Sequence, residues 1–75
     1  MQFEWDENKR RRILRERGVD LLDAALIFEG AVLTEIDPRT DYGETRYIST
    51  GKVDGDYFVV VHTERPPNVR LVTAW

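Results

Sequence analysis

The pattern of apolar residues changes once along this chain, at Gly30, and that single change constrains the fold more than any motif. Before it the spacing is helical. After it come β-branched and aromatic residues interrupted by turn formers, as in a strand meander. Segregated halves of this kind predict an α+β domain, in which helices cover one side of an antiparallel sheet.

The helical half carries its own boundaries. Phe3-Glu4-Trp5 reads as a short first strand, and Asp6 can cap a helix over Glu7–Arg17 that Gly18 closes. On that helix Ile13 and Leu14 make a narrow apolar seam, which Arg10 and Arg17 are expected to flank with their stems, while Lys9, Arg12 and Glu16 share an adjoining side. Asp20 can cap a second, mostly buried helix through the apolar run Leu21-Leu22 and Ala24 to Phe28, ending at Gly30, with Asp23 in its first turn.

Four strands are expected near Ala31–Ile36, Arg46–Val53, Tyr57–Thr63 and Val69–Ala74, with an acidic loop from Asp37 to Gly43. Asp54-Gly55 is a two-residue hairpin signal, and Pro66-Pro67-Asn68 marks a second reversal. Counting outward from those turns sets Ile48 opposite Val61 and Val61 opposite Val72. The same count sets Arg46 opposite Thr63 and Thr63 opposite Arg70. Ile48, Val59, Val61, Val72 and Ala74 are then expected to face the helices, and the row Tyr47, His62 and Leu71 to face solvent.

Length and charge narrow the classes. A chain of 75 residues has room for one core, so residues 1–75 are read as a single domain; without cysteine, its stability rests on packing or on a bound subunit. Neither a secretory leader nor an apolar stretch of membrane-spanning length is evident, which predicts a cytoplasmic protein without a membrane partner. The net charge of −3 is unevenly spread: +2 over residues 1–19, −6 over 20–45 and +1 over 46–75. No ligand spacing for a metal, nucleophile triad or glycine-rich phosphate loop is present, so no cofactor is expected.

Arg46 and Arg70 on one sheet row would repel each other and need an anion. Glu44 or Glu64 can supply it from within the protein, or a substrate phosphate can, to which a planar guanidinium is well matched. His62, the single histidine, is either a packed ring or a general acid or base near neutrality.

Phe3-Glu4-Trp5-Asp6-Glu7-Asn8-Lys9, followed by Arg17-Gly18-Val19, Ala24-Ala25 and Phe28, resembles the opening of BrnT toxins. Gly43-Glu44-Thr45-Arg46-Tyr47-Ile48, then Gly51, Val59-Val60-Val61-His62-Thr63-Glu64-Arg65 and Val69-Arg70-Leu71-Val72-Thr73-Ala74 are similar to later stretches of the same family. The resemblance implies a RelE-like fold and a toxin of a type II toxin–antitoxin system that cleaves RNA without a metal and inhibits translation. It also implies restraint by a BrnA-like ribbon-helix-helix antitoxin, in a complex with two copies of each subunit. On that analogy Arg46, Arg65 and Arg70 bind phosphate, Lys9 binds phosphate or stabilises charge, and Glu64 or His62 transfers protons. Family members commonly carry asparagine where Ile13 stands and histidine where Arg17 stands, and continue into a basic segment where this sequence ends at Ala74-Trp75. Those departures favour an alternative, a catalytically impaired relative that serves as a protein-binding module.

Overall fold

The computed structural model describes residues 1–39 and 43–75; the middle of the expected acidic loop, residues 40–42, lies outside them. The chain is α+β, as its segregated pattern predicts. Strand β1 (Gln2–Glu4) leads into helix α1 (Glu7–Arg17) and a short helix α2 (Leu21–Ala24), which tightens into a 3-10 segment (Ala25–Glu29). Strands β2 (Leu33–Ile36), β3 (Tyr47–Val53), β4 (Asp56–Arg65) and β5 (Asn68–Ala74) follow.

The local signals act where they were expected. Asp6 accepts a hydrogen bond from the Lys9 backbone N–H and Asp20 from that of Leu22, while Gly18 closes α1 at φ 68°, a left-handed conformation that glycine adopts without a Cβ penalty. Only half of the predicted seam of α1 is covered: Ile13 is buried and Leu14 is exposed. Arg10 ties α1 to the start of α2 through two 2.8 Å bonds to Asp20, and Arg17 donates to the Thr73 hydroxyl and the Ala74 carbonyl at the end of β5.

The second helix is shorter than its apolar run suggested. Leu21, Ala24 and Ile27 are all fully buried, and their three-residue spacing aligns along a 3-10 turn of three residues rather than along an α-helix. Gly51 on β3 makes this close approach possible. A Cβ there would stand 2.8 Å from Ile27 Cβ and 3.1 Å from Val32 Cγ1.

The five-stranded sheet has the order β1-β5-β4-β3-β2. Strands β2 to β5 form the predicted antiparallel meander, and β1 joins its edge parallel to β5. The Asp54-Gly55 hairpin sets the expected register, with Ile48 opposite Val61 and Tyr47 opposite His62. Thr63 likewise pairs with Arg70, but an irregularity between Val61 and His62 places Thr73, not Val72, opposite Val61. The extra residue on β5 shifts every later side chain to the other face.

The helix-covered face is the reverse of the one expected. Val60, Leu71 and Ala74 pack with Ile13, Leu21, Ala24, Ala25 and Ile27 in the core, and His62 lies in the same face beneath Phe28. Alternation could not choose between the faces, because Val59, Val60 and Val61 offer apolar side chains to both. Bulk decided it: Ser49 and Gly51, both buried, are small enough to admit the 3-10 segment, whereas Ile48 and Thr50 are branched. Val61 and Val72 are nevertheless buried on the opposite face, and Ala74 reaches the helix side through the bulge.

Candidate functional site

Four of the six side chains singled out in the sequence meet in one cleft. Lys9 comes from the first turn of α1, Arg46 from the residue before β3, Arg65 from the end of β4 and Arg70 from β5; with Asp6 and Glu44 they line a cavity of about 230 Å³. Leu71 and Val72 complete its wall, so the bulge of β5 lies at the cleft, a common place for such irregularities.

Lys9 and Arg46 are each positioned by a local device. The Asp6 cap holds the first turn of α1 and with it Lys9. Thr63, buried in β4, donates to the Thr45 carbonyl at 2.7 Å, while the Asp37 N–H donates to the Arg46 carbonyl at 2.8 Å. These bonds strap the approach to β3 and set Arg46 over the end of the sheet. Asp37 is itself clamped by the Arg39 guanidinium, which holds its carboxyl below the ordinary aspartate range.

The carboxylates are shared rather than matched one to one. Glu44 lies 3.3 Å from Arg46 and 3.6 Å from Arg65, and Glu4 lies 3.2 Å from Arg70. Glu44 is thus one of the two internal anions anticipated for the arginines. Glu4 carries no local signal for this role, since it reaches Arg70 only through the parallel pairing of β1 with β5, across 66 residues of sequence. Asp6, besides capping α1, also lines the cleft.

Lys9 forms no ion pair among the described residues, and its pKa is lowered, first by partial burial and then by the positive charges of Arg46 and Arg12. Asp6 opposes that shift. The lining therefore carries four cations and two anions, a surplus of two positive charges. Such a surface suits a phosphodiester, with guanidiniums able to take two oxygens each and a lysine of reduced basicity able to exchange a proton.

His62 and Glu64 do not join this group. His62 is buried on the helix-covered face, stacked on Tyr47 at 5.7 Å and met edge-on by Phe28 at 5.1 Å. Its Nε2 lies 2.7 Å from Ser49 Oγ, which lies 2.7 Å from Thr34 Oγ1. Buried Nδ1 has no partner, so the tautomer with the proton on Nε2 avoids a buried, unpaired N–H. Burial lowers the His62 pKa, with Glu64 opposing, and keeps the ring neutral. Exposed Glu64 sits opposite Val69 and does not line the cleft.

Fold and cleft together define a small α+β domain that presents a concavity with a surplus of basic side chains. Comparison with known proteins makes the class specific: residues 5–74 match the family described as "Ribonuclease toxin, BrnT, of type II toxin-antitoxin system". The chain belongs to the BrnT family of ribonuclease toxins. No curated protein matches it. Membership in a type II system entails a protein antitoxin as partner. No helix among the described residues is long and apolar enough to cross a membrane.

Proposed function

We propose that this chain is a metal-independent endoribonuclease that inhibits translation by cutting RNA in the cleft formed by Lys9, Arg46, Arg65 and Arg70. The convergence of those four cations, from α1, the residue before β3, the end of β4 and β5, carries the reading. Arg46, Arg65 and Arg70 hold the oxygens of the scissile phosphate and stabilise the charge that builds on them. Glu44, between two of these arginines, accepts the proton of the RNA 2′-hydroxyl, whose oxygen attacks phosphorus. The bond from phosphorus to the 5′-oxygen breaks, and Lys9 delivers its proton to that leaving oxygen. The products are a 2′,3′-cyclic phosphate and a 5′-hydroxyl. Proton transfer, expected of Glu64 or His62, falls in this reading to groups that line the cleft.

Restraint comes from a BrnA-like ribbon-helix-helix antitoxin in a complex with two copies of each subunit, acting in the cytoplasm where the RNA is. The deciding experiment incubates purified chain, freed of antitoxin, with RNA in the presence of a chelator. Cleavage to cyclic-phosphate ends is expected, and its loss in folded Arg46→Ala and Arg70→Ala proteins. Intact RNA with the unaltered chain would reject catalysis.

A second reading, a catalytically impaired relative that only binds its partner, is favoured by one observation: Glu44 and Glu4 already engage all three arginines. It predicts antitoxin binding with RNA left intact.

A further inference from the structure

On the outer side of α2 and the 3-10 segment lies a surface that shares no residue with the cationic cleft. Leu26, 43% exposed, is its centre and lines two neighbouring cavities. One, of about 340 Å³, is walled by Met1, Phe3, Leu22 and Phe28, with Glu29 at its margin. The other, of about 310 Å³, is walled by Val53 and Phe58 and carries Asp23, Asp54 and Asp56. None of those four carboxylates makes an ion pair or side-chain hydrogen bond among the described residues, and no basic side chain lines either cavity. An apolar floor with uncompensated acidic margins is complementary to a helix whose leucine-like side chains are flanked by lysine or arginine.

We propose that this surface docks a basic amphipathic helix of the protein antitoxin. The proposal rests on family membership and on charge complementarity, and it holds whether or not the cleft cleaves RNA. Helix α1 offers similar chemistry, with exposed Leu14 between Arg11 and Arg15. Docking α1 of a second copy would be a heterologous contact, which leaves a free groove at one end and grows chains unless it closes into a ring. A separate partner saturates the groove one to one. The groove shares no lining residue with the cleft, so this contact holds the toxin at a site separate from its cationic residues.

The test uses a fluorescent peptide about 15 residues long, with leucines at helical spacing on one side and lysines elsewhere, against a scrambled peptide of the same composition. The patterned peptide is expected to bind one to one, and binding is expected to weaken as salt rises. Leu26→Gln is expected to weaken it about tenfold, as is the triple change Asp23→Asn, Asp54→Asn, Asp56→Asn, which alters exposed side chains only and decides the matter if Leu26→Gln fails to fold. Equal binding of the scrambled peptide, or unchanged binding by folded variants, overturns the proposal. So does sedimentation showing that the unaltered chain self-associates through this surface and that Leu26→Gln is monomeric. RNA cleavage, measured in parallel, separates the two claims: cleavage without patterned-peptide binding rejects the groove, and binding without cleavage rejects the nuclease.

Discussion

Replacing Glu44 by glutamine should separate RNA binding from RNA cleavage. Glu44 and Asp6 are the two anions among the charged residues of the cleft, so the change raises the surplus from two positive charges to three. A phosphate about 6 Å from the former carboxylate gains roughly 0.7 kcal/mol at the dielectric of water and about 3 kcal/mol at an effective value of 20. Glu44 is 30% exposed, which places the gain toward the lower figure, near 1 kcal/mol or about fivefold in affinity. Little orientation is lost in exchange, because the hydrogen bond from Arg46 is long, at 3.3 Å, and Arg65 makes only an ion pair, at 3.6 Å. Fluorescence anisotropy with an RNA whose reacting 2′-hydroxyl is replaced by hydrogen measures binding alone. Single-turnover cleavage of the matching ribose strand measures chemistry. The expected outcome is tighter, more salt-sensitive binding together with slower cleavage. Weaker binding would show that Glu44 organises the arginines rather than competing with phosphate, and undiminished cleavage would remove it from proton transfer.

Gly51→Ala forces a Cβ to within 2.8 Å of Ile27, so the 3-10 segment must lift from the sheet; a loss of about 1–3 kcal/mol is expected, read as a lower denaturant midpoint at unchanged slope. Asp20→Ala removes both the cap of α2 and the partner of Arg10, and a loss of about 2 kcal/mol should lower the melting temperature by roughly 10 °C, with Asp20→Asn milder because it still caps. His62 is held neutral, its pKa below the ordinary 6.5, so its contribution to stability is present above that value and declines as pH falls through it toward the folded-state value. The slope is at most about 1.4 kcal/mol per pH unit, and His62→Gln, which still reaches Ser49, should remove that part of the pH dependence of urea unfolding. A slope that survives in the variant would assign it to other groups.

What the sequence determined by itself is what neighbouring residues decide among themselves. Asp6, Gly18 and Asp20 bound their helices because capping involves only the next turn. Asp54 and Gly55, at φ 50° and 89°, set the hairpin and through it the pairing of Tyr47 with His62, since a two-residue turn leaves one register. The ordered fragments that resemble the BrnT family were legible in the sequence as well, and six side chains were drawn from that resemblance; that Lys9, Arg46, Arg65 and Arg70 share a cleft, and His62 and Glu64 do not, was decided by the fold.

Tertiary structure decided whatever depended on distant surfaces fitting together. The sheet face that meets the helices turned on the small bulk of Ser49 and Gly51 against Ile27, which apolar alternation does not encode when Val59, Val60 and Val61 serve both faces. That choice buried His62 and separated it from the arginines. Parallel pairing of β1 with β5 brought Glu4 to Arg70, and the bulge re-aimed the end of β5. Each is settled by packing between residues far apart in the chain, where steric fit and burial outweigh the local preferences that a sequence displays.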